Sequence, residues 1–425
     1  MAKRQRHATR PHYRFKPWNV GRWVLWGLFA LVLAFAPKLW SSGFALTMLS
    51  QMGIAVIACL AYNILLGQGG MLSFGHAVYT GLGSFLAIHT LNMVGAGTLA
   101  LPVSLVPLAG AAGGLFFAAL LGYVTTKKAG TPFAMITLGI GELVWSMSLM
   151  LPEFFGGEGG ISFGPQIQVY YLIAVYCFVC TALMFAFTRT PLGRMLNAVR
   201  DNPERVEFIG YSTQRVRYLA FMASGLFSGV AGGLAAINFE LVTAEVVGAG
   251  RSGAYLLFVF LGGAGFFFGP IIGAVLMVVA LVLLSELTQA WLLYLGLVFV
   301  FMVMYAPGGL SSLLMMNLRV ASFGKLRPLL ASYLAFLGTA LTMLVGAGAM
   351  VEMVYHLQLN EALGPELKFM GATLNAQGLD SWFGAVFVLA VGVALFELVR
   401  RHFVLQWGHT QEEIEREIKR RETAL

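Results

Sequence analysis

FALTMLSQMGIAVIACLAYNILL, residues 44–66, runs for twenty-three residues without a single Asp, Glu, Lys or Arg. Coiled as an α-helix it is about 34 Å long, enough to cross the roughly 30 Å hydrocarbon core of a bilayer. Further apolar segments follow at about 71–93, 100–124, 131–151, 167–188 and 218–239, with a long tract from 253 to 306 and two more at 329–351 and 382–399. Ahead of them lies Trp23 to Leu33, bordered by Pro37, Lys38 and Trp40. Its basic flank and interfacial tryptophans predict a retained first span rather than a cleaved signal.

Composition agrees with that reading. Of 425 residues, 58% are hydrophobic and 11% charged, and mean hydropathy is +0.79. Soluble domains carry about 25% charged residues, and no soluble core absorbs this apolar excess without a large sticky surface. Soluble enzymes, nucleic-acid binders and disulfide scaffolds are therefore set aside. Cys59, Cys177 and Cys180 all fall in apolar runs with no other metal ligand beside them; they read as small buried hydrophobes.

The net charge of +8 reports topology. Residues 1–22 hold seven cations and no acid. Threading the spans alternately from a cytoplasmic N-terminus leaves only Lys38, Arg251 and Lys368, of 27 Lys and Arg, on the outer side. Glu153, Glu158, Glu240, Glu245, Glu352, Glu361, Glu366 and Asp380 face outward in the same threading, the positive-inside pattern. The bookkeeping requires an odd number of crossings in 253–306. That tract is interrupted by Gly262 to Gly265 and by Gly269-Pro270, breaks tolerated only where protein or a cavity satisfies the freed backbone. Three crossings, the reading favoured here, make twelve spans; one crossing with a re-entrant piece makes ten. The expected fold is all-α, a polytopic membrane helix bundle of 10–12 spans with broken or re-entrant Gly-rich segments.

Four parts are expected: a basic cytoplasmic N-terminus (1–22), a core (23–315), an extension with two further spans (316–408) and a charged cytoplasmic helical tail (409–425). In the tail, Glu412 and Arg416, Glu415 and Lys419, and Glu417 and Arg421 stand four apart, which supports a helix. Between Arg189 and Arg217 lies the longest internal cytoplasmic loop. Pro191 and Gly193 start a helix, Leu192, Met195, Leu196 and Val199 recur at helical spacing, and Pro203 interrupts. A second short helix, Glu204 to Ile209, ends at Gly210. No Gly-x-x-x-x-Gly-Lys-Ser/Thr phosphate loop occurs. Ionisable and polar groups within apolar runs, chiefly Glu142, His76, Glu286, Gln68 and Asn63, are costly in a bilayer and often functional.

The loop Gly193-Arg194-Met195-Leu196-Asn197-Ala198-Val199-Arg200-Asp201-Asn202, continuing to Glu207 and Gly210, resembles the cytoplasmic coupling loop of branched-chain amino acid ABC transporter permeases. Leu66 to Ala77 (LGQGGMLSFGHA) resembles the family's N-terminal glycine-rich signature, and Thr131 to Leu138 with Glu142 its middle helix. Gly262 to Ala274 and Tyr305 to Leu310 resemble its late motifs. The likeness covers about residues 45–315 and is greatest to the LivM-type subunit. It implies a permease subunit in the bacterial inner membrane with both termini cytoplasmic. The implied partners are a LivH-type permease, two cytoplasmic ATPases, a periplasmic substrate-binding protein and membrane lipid, with no nucleic acid. It also implies that no cofactor is bound by this chain, ATP and magnesium residing on the partners, so the chain is no enzyme.

On that likeness Gly193, Arg194, Arg200, Asp201, Glu204, Glu207 and Gly210 are expected to couple to the ATPases, and Gln68, Ser73, His76 and Glu142 to lie along the passage. Urea or short-chain amides are the rival solutes. An ion-driven secondary carrier is the rival class; it predicts several midplane carboxylates, of which only Glu142 is clearly placed.

Overall fold

The structure is a computed structural model, and it describes residues 20–157, 159–162, 169–359 and 364–424. The basic segment ahead of Val20, and the acidic Glu158 and Glu361, lie outside the described residues. Helix α1 spans Val20–Leu39 and α2 Gly43–Asn63, the latter running on through a π-helical turn, Ile64–Gln68. Then come α3 (Ala77–Gly95), α4 (Val106–Thr125), α5 (Thr131–Met150), α6 (Tyr170–Arg189), α7 (Pro191–Asp201), α8 (Pro203–Phe208) and α9 (Thr213–Phe239). The late helices are α10 (Ala249–Gly262), α11 (Gly269–Val278, extended by a second π-helical turn at Val279–Leu284), α12 (Trp291–Tyr305), α13 (Gly309–Ser322), α14 (Leu326–Leu359) and α15 (Leu379–Ala424).

Among the described residues, nine helical stretches are long and apolar enough to cross a membrane. The pair α12–α13, bent by 52°, makes a tenth, while Trp23–Leu39 and α10 are shorter apolar helices. Tract 253–306 divides into α10, α11 and α12, of which α11, with its π-helical extension, is the one piece long and apolar enough to cross by itself. Local chemistry sets the starts. The Ser42 hydroxyl accepts from the Ala45 amide at 3.3 Å to open α2. Thr190 accepts from Gly193 at 3.2 Å ahead of Pro191, and Asn202 from Arg205 at 3.0 Å ahead of Pro203. Proline at the first helical position lacks only an N–H that would be unpaired anyway.

The centre of the bundle is the contact of α3, α4 and α9. Gly110 and Gly114 on α4 face Gly225, Gly229 and Gly233 on α9, all at four-residue spacing. A Cβ on Gly229 would strike the Gly110 carbonyl oxygen, and one on Gly110 would strike Gly229 in return. Two backbones thus approach with nothing between them, the small-residue packing that holds helices together where lipid removes the hydrophobic drive. The Ser84 hydroxyl of α3 adds a bond to the Gly232 carbonyl at 2.9 Å.

The C-terminal part departs from the expected boundaries. Helix α14 continues to Leu359, beyond the expected end near 351, and the last span and charged tail form one unbroken helix, α15. No proline interrupts 400–424; an Arg401–Glu397 pair at four-residue spacing spans the junction, and Arg416–Glu412 repeats it within the tail. Between α14 and α15 an antiparallel hairpin pairs Glu366–Phe369 with Ala372–Asn375. With the two-residue pairing of Ile161–Ser162 and Leu241–Val242, it is the strand content described in an otherwise helical fold. The hydrophobic core of the bundle draws its residues from α1 to α12, whereas two small clusters, around Met353 and around Ile414, serve the extension. Glu352 ties the two together by accepting hydrogen bonds from Thr288 and Tyr294. At the opposite end Lys325 donates to Glu413 at 2.6 Å, and that carboxylate raises the lysine's pKa.

Candidate functional site

The four residues expected along the passage fall in three places. Gln68, half-buried, closes the π-helical turn after α2. Ser73 and His76 are buried in the irregular segment that follows, within a polar knot. There Tyr62 donates to the Ser73 carbonyl at 2.8 Å and presents its ring edge to His76, centroids 4.9 Å apart. His76 Nε2 and the Ser228 hydroxyl share a 2.8 Å hydrogen bond. The Ala77 amide donates to Ser252 at 3.0 Å, and the Phe74 amide to Thr137 at 3.2 Å. Residues 73–77 are thereby fastened to α2, α5, α9 and α10 at once. Gly75 is required here, because a Cβ would meet the Thr137 carbonyl.

Glu142 stands apart, on an open cavity of about 620 Å³ lined also by Trp145, Glu245, Arg251, Ala254 and Leu281. The wall is rigid where it counts. Val247, fully buried, packs on Gly81 of α3 and fixes the 3₁₀ turn Ala244–Val247 that leads into α10. Glu142 and Trp145 lie three residues apart on α5 and so share a face. Trp145, Glu245 and Arg251 were not singled out from the sequence as site residues. One signal was available: Arg251 is among the three cations left on the outer side by the charge count.

The loop between α6 and α9 forms the second site. Helices α7 and α8 bury Gly193, Leu196, Val199 and Val206 and expose Arg194, Asp201, Glu204 and Glu207. Arg200 Nη1 donates to the Gly67 carbonyl at 2.5 Å and pairs with Asp201 at 2.9 Å. Its stem lies so close to Gly70, which has φ +63°, that a Cβ there would sit 2.7 Å from Arg200 Cγ. Glu207 accepts from Thr213 at 2.8 Å, tying α8 to the start of α9. Gly210 has φ +87° and ends the loop in the left-handed region. Phe208, Ile209 and Tyr211 around it are exposed, Phe208 to 88%, an apolar knob that none of the described residues covers. The glycine-rich turn and the loop were read as separate motifs; the fold makes them one structure.

From Gly67 the contact continues inward. A Cβ on Gly67 would meet the carbonyl of Ala264, in the turn after α10, and Gly263 in that turn packs on Ser311 and Gly309 at the bend into α13. Helix α10 therefore has its first turn on the cavity and its last turn beside the end of α2 that Arg200 holds. Its fourteen residues set the two sites about 20 Å apart.

A bundle with this many apolar crossings, interrupted helices and a docked amphipathic loop at one end is a multi-pass membrane permease in architecture. The profile of the branched-chain amino acid transport system permease component family matches residues 44–308. The chain belongs to that family. Among curated proteins it is similar to the high-affinity branched-chain amino acid transport system permease protein LivM of Salmonella typhimurium LT2, 28% identical over 306 residues, covering 63% of this chain and 70% of that protein. It is also similar to LivM of Escherichia coli K12, 28% identical over 292 residues, covering 60% and 67%. No solved structure matches.

Proposed function

We propose that the chain is one of two permease subunits of an ATP-driven importer that carries branched-chain amino acids into the cell. The observation that carries this reading is the docked loop: α7–α8 presents an exposed apolar knob outward and grips the glycine-rich end of α2 inward through Arg200. A self-powered carrier has no use for such a handle. In this reading a second, LivH-type permease completes the passage, two cytoplasmic ATPases bind α7–α8, and a periplasmic binding protein delivers solute to the other end. The loop then faces the cytoplasm of a bacterial inner membrane, and the cavity at Glu142 faces outward.

Closure of the ATPases on nucleotide displaces α7–α8. Arg200 passes that displacement to Gly67, and the Gly67–Ala264 contact passes it to α10. The outward and inward states are then two packings of these helices whose populations nucleotide shifts. Hydrolysis takes place on the partners, and this chain's share in that step is the mechanical link.

The test is uptake of labelled leucine by cells lacking the chain and by cells with it restored, with unlabelled valine and urea as competitors. Restored uptake that valine blocks and urea does not is the expected result. Equal leucine uptake with and without the chain, alongside chain-dependent uptake of urea, would refute the amino-acid assignment.

A further inference from the structure

The cavity on α5 and α10 is lined by three formal charges that form no ion pair or hydrogen bond with the described residues: the carboxylates of Glu142 and Glu245 and the guanidinium of Arg251. Charges of opposite sign around one space usually neutralise each other. Here they stay apart, on separate elements whose backbones are pinned: α5, the 3₁₀ turn held by Val247, and the first turn of α10. Thr243 apart, the side chains of the remaining wall are apolar or aromatic. Trp145 lies against Gly248, where an added Cβ would sit 3.8 Å from the indole, and Ala254 and Leu281 complete the lining. Leu281 comes from the π-helical turn Val279–Leu284, a departure from α-geometry frequently found at functional sites.

Resting on the transport reading above, we propose that this cavity is a solute-binding subsite on this chain for a zwitterionic α-amino acid with an apolar side chain. Arg251 receives the carboxylate. The free N–H groups that begin α10 at Ala249 and Gly250 line the same cavity and reinforce it. Glu142 and Glu245 receive the ammonium, and Trp145, Ala254 and Leu281 cover the side chain. A volume of about 620 Å³ lies in the range of small-molecule sites, roughly 300–1,000 Å³. A neutral solute such as urea offers no counter-charge to any of the three, so the lining favours a molecule carrying both signs. The location gives the subsite a mechanical consequence. Solute held by Arg251 sits on the first turn of the helix whose last turn meets the Arg200–Gly67 contact.

The experiment is equilibrium binding of labelled leucine to the purified, assembled transporter in lipid nanodiscs, without the binding protein. Competitors are isoamylamine, which lacks the carboxylate, 4-methylpentanoate, which lacks the ammonium, and urea. Both single-charge analogues are expected to compete at least about tenfold more weakly than leucine, the loss of one charge-assisted hydrogen bond, and urea not at all. Arg251→Gln is expected to weaken leucine binding about tenfold or more, and Arg251→Lys to recover much of the loss. Analogues competing as well as leucine, or Arg251→Gln binding leucine within twofold of the wild type, would overturn the subsite. The competition series uses only the wild-type protein, so it decides even if a variant fails to fold. Leucine import by the full complex combined with charge-independent binding would refute the subsite and leave the transport reading intact; chain-dependent uptake of urea in place of leucine refutes both.

Discussion

Replacing Arg200 by methionine removes the guanidinium, which donates to Gly67 and to Asp201, and keeps most of the stem that packs on Gly70. The inward bond is the 2.5 Å donation from Nη1 to the Gly67 carbonyl. A hydrogen bond from a charged donor contributes about 1.5–3 kcal/mol. The side chain is 39% exposed, so the lower end applies, about 1.5 kcal/mol, or a roughly tenfold shift from docked to undocked loop. The companion pair with Asp201 is more exposed, at 66% for the carboxylate, and falls in the range of about 0–1 kcal/mol. Arg200→Met should therefore reduce leucine transported per ATP hydrolysed by roughly the same tenfold factor, while Asp201→Asn should change it less than about threefold. The assay is paired uptake and phosphate release in proteoliposomes holding the complete complex at matched incorporation. An unchanged ratio in Arg200→Met, or equal losses in the two variants, would refute the idea that the loop acts through Gly67.

Three further outcomes test the packing around the sites. Gly229→Val would drive its side chain into the Gly110 carbonyl; an overpacking cost of about 1–3 kcal/mol should lower the melting temperature in detergent, and an unchanged melt would show the α4–α9 contact to be looser than described. His76→Phe leaves the Ser228 hydroxyl without its 2.8 Å partner, a cost of about 1–3 kcal/mol for a buried group. Adding Ser228→Ala should restore part of that stability, and additive losses in the double variant would argue against the pairing. Truncation after residue 315 removes both small clusters while sparing the core of the bundle; the shortened chain should insert and melt within a few degrees of the full one, and aggregation on truncation would show that α14 and α15 support the core.

The sequence by itself determined the class. Uninterrupted apolar runs such as 44–66 have no stable home except a bilayer, and the skewed distribution of Lys and Arg agrees with an alternating threading. The helix start at Pro191 was equally legible, because proline in the first turn is a local signal. The unbroken length of α15 was missed because the change from apolar to charged at Arg400 alters what surrounds a helix and not whether it continues. The hairpin after α14 was also missed: it is short and polar, and carries no periodic signal. Only the tertiary structure decided which motifs share a site. Gln68, Ser73, His76 and Glu142, all polar in apolar surroundings, look alike in sequence, yet they divide among the loop contact, a buried knot and an open cavity. Arg200 and Gly67 are 133 residues apart, and Glu142 and Arg251 come to one cavity from different helices. Such meetings depend on how closely glycine-lined backbones approach, a property of helix pairs that no single segment contains.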